Sequence, residues 1–335
     1  MPSAAQFNQV IGVLAKVESD PNVAEALSNA DDGCTPFIGD GDPPAPTPIS
    51  YVFDGNIGRA AGNLAPQRRT TPNGRHRMGQ FQCLPKGLGS LYSAILLPPN
   101  EVHRWLQGSG YTATYSASPT PQWSYTPVAV GTVPSHLTVR YFMQGSQYDQ
   151  FGVQSDFSYE SAGLGTPIFS FNWKGIGLAP TDQALPVITY QATGVIPAVS
   201  SAVVHSVGGV TTMTLRKVSY SRNRGGETAR IAQNLAGGHA GFIFGQYTPE
   251  WEIEVERPLR SAFDPEALMA SATPIALSLT YNSATQYNRW THSTAQGQIV
   301  DVQPGNDGGL ATVTLKVRGF ASTPSANDAE LIVFN

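Results

Sequence analysis

Charge is scarce in this sequence. Lys, Arg, Asp and Glu make up 13% of its 335 residues, where soluble domains average about 25%. The deficit does not signal disorder, because 41% of residues are apolar and 10% aromatic. A chain so poor in charge either covers much of its surface with other subunits, where charge is depleted, or carries a Ser/Thr/Asn/Gln surface of the kind found on secreted or viral β-proteins. Basic excess is missing too: the net charge is −4, which argues against a protein that grips nucleic acid with a basic face. Cysteine is nearly absent. Cys34 and Cys83 are far apart and form no CxxC, so two reduced thiols are the expectation. No long apolar run exists. The longest interval without a charged residue, Gln183 to Leu215, is broken by Pro186 and Pro197 and rich in Ser and Thr, so no membrane span is expected. The opening MPSAAQFNQVIGVLAK lacks the basic and apolar regions of a signal peptide.

Catalytic and cofactor signatures are missing as well. His76, His103, His136, His205, His239 and His292 stand singly, without metal-ligand spacing. There is no G-x-S-x-G elbow and no Walker loop. Gly175-Ile-Gly177 lacks the third glycine and the helix of a dinucleotide fingerprint. Asp149 and Asp156 could meet in the fold, but a solvated pair is the default reading. The GDGD segment lacks the spaced ligands and closing glutamate of a calcium loop. No enzyme activity, metal or cofactor is expected.

What the chain does have is turns and alternation. Its 34 glycines and 26 prolines are spread in turn dipeptides, marking many short strands. Phe7, Val10, Ile11 and Leu14 recur at helical spacing, so residues 3–30 are expected to be partly helical, with Asn22–Leu27 adding a turn beyond Pro21. Residues 31–48, DDGCTPFIGDGDPPAPTP, read as an extended arm. Strands are then expected at Gly79–Cys83, Ser90–Leu97, Thr112–Tyr115, Trp123–Val128, Leu137–Met143, Gln147–Gln154 and Ile168–Trp173. Asn73-Gly74 reads as a hairpin turn. A short helix opens at PPN, Pro98 to Asn100, and closes at Gly108-Ser-Gly110, with Val102, Trp105 and Leu106 on one face. Further strands are expected at Val187–Tyr190, Thr211–Tyr220, Gly241–Gln246, Trp251–Glu256, Ile275–Tyr281, around Gln298–Val302 and at VTLKVRGFA, Val313 to Ala321. A second short helix is capped by Asp264, with Pro265 at its first position.

The segments FSFNWKGIG, Phe169 to Gly177, and VTLKVRGFA share a pattern: alternation, then a cation, then glycine, each behind a glycine turn. The order of elements also repeats: strands, basic turn, strands, short helix, strands, closing strand. A diverged duplication is the expectation. The fold class is mostly β: two tandem β-sandwich or barrel lobes, each with one short helix, plus an extended N-terminal arm. The boundaries expected are 1–48 for the arm, 49–182 for the first lobe and 183–335 for the second.

Two basic segments stand out, Arg59, Arg68, Arg69, Arg75 and Arg77 in the first half, and Arg222, Arg224 and Arg230 in the second. Arginine forks pair with carboxylates of a neighbouring subunit, so these eight are the candidate intersubunit contacts. The bland alternative is a pair of solvated hairpin tips. Nucleic-acid gripping ranks third, since no aromatics interleave with the arginines.

The sequence resembles the tail tube proteins of long-tailed bacteriophages. The resemblance rests on VLAKVES, Val13 to Ser19; on EVHRWLQGSGY and the YTPV at Tyr125 to Val128; on FSFNWKGIGLAPTDQALP, Phe169 to Pro186; and on AELIVFN, Ala329 to Asn335. The insert around 31–48 and the Thr/Ser-rich segment 109–135 depart from the family. The resemblance implies a structural virion protein of the tail, assembled in the host cytoplasm. Its subunits stack in rings whose inner wall is a shared β-barrel, with genomic DNA passing through the lumen without specific binding. Its partners would be itself, the tape measure protein, and tail terminator and tip proteins, with no membrane. With two tube-type lobes per chain, a trimeric ring of pseudo-sixfold symmetry is favoured over a hexamer. The rival reading is a β-sandwich adhesin or carbohydrate-binding protein, in which Trp105, Trp123, Trp173, Trp251 and Trp290 could include an exposed sugar platform, although buried core tryptophans are the default account.

Overall fold

The computed structural model describes residues 11–37, 50–53, 72–129, 131–143, 145–162, 166–190, 203–224, 228–231, 239–243, 245–282, 286–323 and 326–335. Among these the chain is mostly β. In order it forms β1 (Ile11–Val17), β2 (Ser50–Phe53), β3 (Pro72–Cys83), α1 (Asn100–Gly108), β4 (Tyr111–Ser116), β5 (Gln122–Pro127), β6 (Leu137–Met143), β7 (Ser146–Ala162), β8 (Ile168–Gly177) and β9 (Thr181–Asp182). It continues with β10 (Val203–Val207), β11 (Leu215–Ser221), β12 (Thr228–Ile231), β13 (His239–Ile243), β14 (Glu250–Glu256), α2 (Pro265–Ala270), β15 (Ile275–Tyr281), β16 (Trp290–Asp307), β17 (Leu310–Gly319) and β18 (Leu331–Phe334). All strands but β12 and β13 belong to one antiparallel sheet, with β2-β3-β8-β7-β11-β14-β17-β16-β18-β5-β4 as its main path.

The alternation seen in the sequence becomes the layering of the central strands. In β14, Trp251, Ile253 and Val255 point inward and are buried, while Glu250, Glu252, Glu254 and Glu256 point to the other face. The same parity runs through β7, β8, β11 and β17. Phe157, Tyr159, Phe169, Phe171, Tyr220, Leu315 and Val317 form the inner layer, tied by ring contacts such as Phe157–Phe171 at 5.3 Å and Tyr159–Tyr220 at 5.4 Å. α1 closes this layer by stacking Trp105 on Phe81, with centroids 4.5 Å apart.

The pairings fall into two sets of the same order, β1-β6-β7-β8-β3 and β10-β15-β16-β17-β14. Their landmarks coincide. Met143 sits between Ile11 and Ser146, as Tyr281 sits between Val203 and Trp290. The first bulge falls between the pairs Leu137↔Val153 and Val139↔Gln150 in one set, and between Ile275↔Gly297 and Leu277↔Thr294 in the other. Lys174 then pairs with Gln154, and Arg318 with Gln298. β9 on Ser146 and Gln147 matches β18 on Trp290 and Thr291.

Several local expectations gave way to long-range pairing. Residues 11–17, expected to be helical and assigned to the arm, form β1 against β6. Gly12 to Ala15 are all buried, and a short run covered on both faces cannot be told from a buried helix by periodicity. Asn22–Leu27 adopts no helix. Asn73-Gly74 lies inside β3, where Gly74 pairs with Val52, so it is not a turn. Ser90–Leu97 is a loop that leaves Ile95 exposed, with the Ser93 hydroxyl accepting from the amides of Ile95 and Leu96. Val187–Tyr190 is likewise irregular. β5, placed in the first lobe, pairs with β18.

Both helices stand where the punctuation places them. The Asp264 carboxylate accepts from the Ala267 amide at 3.1 Å, the cap expected from sequence. Asp264→Ala is expected to cost about 1 kcal/mol, read as a lower midpoint in urea unfolding with an unchanged slope.

Candidate assembly surface

The outward face of the central strands is polar along its whole width. Cross-strand rows define it: Gln82, Ser170, Ser158, Ser221, Glu250 and Arg318 in one, and Glu160, Ser219, Glu252, Lys316 and Asp301 in the next. Carboxylates outnumber cations there. Glu160, Glu250, Glu252, Glu254, Glu256 and Asp301 face Lys174, Lys217, Lys316 and Arg318. Opposite charges are interleaved and paired: Lys217 with Glu160 at 2.9 Å, and Lys316 and Arg318 with Glu250 at 2.8 and 3.0 Å. These cations hold Glu250 below the usual carboxylate value despite its partial burial. Exposed pairs of this kind contribute little stability each. Their effect is to leave a hydrophilic, mildly acidic wall.

Among the described residues, the wall ends on a strand paired along one edge. β16 runs eighteen residues, and its far end, Gln303 to Asp307, is exposed. There it pairs with β17 on one edge, and among the described residues no strand pairs with the other. Gly308 and Gly309, with φ of 60° and 90°, turn the chain back into β17. Arg216, at the bulge in β11, reaches this end through ion pairs with Glu256 and Asp307.

The eight arginines expected at subunit contacts divide sharply. Arg59, Arg68 and Arg69 lie outside the described residues. Arg75 lies in β3 opposite Tyr51, and Arg230 in β12; their side chains also lie outside what is described. Arg77 and Arg222 point inward, which corrects their reading as surface forks. Arg77 is 1% exposed; it donates to the Gln150 side chain at 3.4 Å and the Leu178 carbonyl at 3.3 Å, over the Tyr148 ring. Arg224 is half-buried and donates to the Ser155 carbonyl at 3.0 Å.

Arg222 anchors a buried polar cluster that the sequence did not disclose. Its Nε donates to Glu330 Oε1 at 3.0 Å, Nη2 to the Gly110 carbonyl at 3.2 Å, and Nη1 to the Ser109 carbonyl. The guanidinium lies over the Tyr111 ring at 4.0 Å and the Tyr247 ring at 4.3 Å. Glu330 also accepts from the Tyr220 hydroxyl and lies 3.3 Å from His292 Nε2. Trp251 Nε1 donates to His292 Nδ1, so the ring is the neutral Nε2–H tautomer and donates to the carboxylate. Burial would raise the Glu330 carboxyl, but Arg222, His292 and Tyr220 outweigh it and hold it below the usual range. Burial lowers His292, partly offset by Glu330. A lone Arg and a lone Glu more than a hundred residues apart carry no local signal of this pairing.

The chain matches no protein-family model and no curated protein. All five tryptophans are buried, Trp123 the most open at 8% exposure. No indole is therefore exposed as the platform that the sugar-binding reading could have used.

Arg222→Met strands a buried carboxylate and is expected to cost about 3–5 kcal/mol, whereas Arg222→Met with Glu330→Met recovers much of that loss; urea unfolding of the single and double variants measures both. Acid should act through the histidines. Burial, with Arg104 adding, takes His103 down to about 4. A lowered imidazole means the unfolded chain binds more protons below pH 6.5, so stability is full above that value and falls as pH drops toward 4. Each unit costs roughly 1.4 kcal/mol per histidine. The thermal midpoint should therefore fall between pH 7 and 5, and His103→Gln should flatten that fall.

Proposed function

We propose that this chain is a structural virion protein, the major tail tube subunit that stacks in rings to form a conduit for phage DNA. The observation that carries the reading is the central sheet: aromatic and packed on one face, continuously polar and mildly acidic on the other, and ending, among the described residues, on a strand edge without a partner. A tube wall needs these three properties together. The inner layer makes the wall rigid. The acidic outer face repels a polyanion in transit instead of binding it. The open edge lets copies join their sheets, which removes an aggregation-prone edge from the finished particle.

The matched registers of the two strand sets support a duplication, with two tandem tube-type lobes in one chain. Three chains would then supply the six sheet units of a ring, a trimer with pseudo-sixfold symmetry. The tape measure protein would occupy the lumen before DNA, and terminator and tip proteins would cap the ends. Low charge density follows from the same reading, since ring-to-ring and chain-to-chain contacts cover surface that a monomer must keep charged.

Electron microscopy of the purified protein at high concentration tests this. Rings or tubes with a central hole are expected. A persistent monomer that binds glycans would favour the adhesin reading instead.

A further inference from the structure

Four carboxylates are buried among the described residues: Glu18, Asp32, Glu101 and Glu330. Three of them are well engaged. Glu330 is held by Arg222, His292 and Tyr220. Glu18 accepts from the Gly152 amide at 2.6 Å, the Asn22 amide at 2.7 Å and the Thr138 hydroxyl at 3.1 Å. Asp32 accepts from the Ser28 amide at 2.7 Å and from Arg104. Glu101 is the exception. It is 0% exposed, and neither of its carboxyl oxygens accepts a hydrogen bond from a protein group. Lys86, the one buried lysine among the described residues, lies beside it with Nζ 3.2 Å from Oε1. That is ion-pair contact off the line of a hydrogen bond. A buried ion pair offsets its desolvation only when its geometry is good and the remaining donors and acceptors are satisfied. This pair meets neither condition.

We propose that Lys86 and Glu101 form an intramolecular isopeptide bond, an amide between Nζ and the Glu101 carboxyl carbon. The contact brings the reactants together: groups held about 3–3.5 Å apart react as one molecule rather than by encounter. One proton passing from the ammonium to the carboxylate turns both groups neutral, into the amine that attacks and the acid that is attacked. The Nζ lone pair then bonds to the carboxyl carbon. One carbon–oxygen bond breaks, and the departing hydroxyl takes the proton shed by the nitrogen and leaves as water. The balance needs no co-reactant. Two buried charges become one neutral amide, which costs far less to keep out of water.

The fold explains why these two side chains meet. Lys86 follows β3, and Glu101 stands in the first turn of α1. Cys83, at the end of β3, donates its thiol to the Glu101 carbonyl at 3.4 Å, and Phe81 stacks on Trp105 one turn further along. The end of the strand and the start of the helix are thus fixed against each other by their own contacts. The segment between them, 87–99, forms no helix or strand and leaves Leu91, Ile95 and Leu96 exposed. The isopeptide bond brackets this segment, so the chain stays joined across it even when it is cut. As with a disulfide, its effect on stability comes chiefly through restriction of the unfolded chain.

Mass spectrometry of the denatured full-length protein tests the bond. The expected mass is lower than the sequence requires by one water. Trypsin should fail to cut after Lys86, and fragmentation should show a branched peptide joining residues 86 and 101. Lys86→Met should remove both signs. Nicking the chain within 91–96 and then denaturing it gives a second reading: wild-type fragments stay joined on a gel, and Lys86→Met fragments separate. The wild-type readings decide the matter even where Lys86→Met fails to fold. A full mass with separable fragments would overturn the bond. So would a loss of water placed by fragmentation at an Asp-Gly pair alone, such as Asp307-Gly308.

Discussion

The buried pairing of Arg222 with Glu330 holds this fold in register. Arg222 follows β11, and Glu330 precedes β18. Through Ser109 and Gly110 the same guanidinium fixes the end of α1 and the start of β4. Through Tyr220, His292 and Trp251 the carboxylate is tied to β11, β16 and β14. Taking two charges out of water is expensive, and the attraction between them offsets the cost only when every remaining donor and acceptor is satisfied. Here Arg222 finds one carboxylate and two carbonyls, and Glu330 finds three donors. Such a cluster adds little net stability over a well-packed apolar one. Its consequence is selectivity: a slip of β11 by one residue would turn Tyr220 and Val218 to the polar face and leave Glu330 buried without its partners.

The cluster also explains which parts of the structure were legible in the sequence. Elements specified by their own residues could be read. Alternating Glu, Trp, Glu, Ile, Glu, Val in β14 sets the strand and both its faces, and Asp264-Pro265-Glu266 sets the start of α2. Features specified by distant partners could not. IGVLAKV has helical spacing but lies between β6 and α1, with Arg104 of α1 donating to the Ala15 carbonyl. Asn73-Gly74 carries a strong local turn signal, which loses to ladders on both sides of β3. The arginines of SRNRGGETAR look alike on paper, yet Arg222 is buried while its neighbour Asn223 is exposed. Burial of a charge depends on a partner that no local pattern announces.

The shared strand of FSFNWKGIG and VTLKVRGFA was legible for a related reason. Lys174 and Arg318 sit on the polar face, while Gly175 and Gly319 lie where the sheet leaves no room. A Cβ on Gly175 would come within 2.5 Å of a Val153 methyl, and one on Gly319 within 2.6 Å of the Ala329 carbonyl oxygen. The cation-glycine pair is thus a local record of a packing constraint met twice. The layer behind it differs, with Phe169 and Phe171 buried in β8 and Val313 and Leu315 in β17.

The far end of β16 makes the last step of the argument. Its residues from Gln303 onward are exposed on both faces, so no core holds them in place, yet they remain extended. Backbone order costs about 1–2 kcal/mol per residue, and a two-stranded hairpin alone is marginal in water. The ladder to β17, the Gly308-Gly309 turn and the Arg216 ion pair to Asp307 share that cost inside the chain. Among the described residues no third strand lies along the other edge, whereas β11 adds a second ladder to β7. Among the described residues, the far end of β16 is thus held by one ladder, one glycine turn and one ion pair rather than by burial.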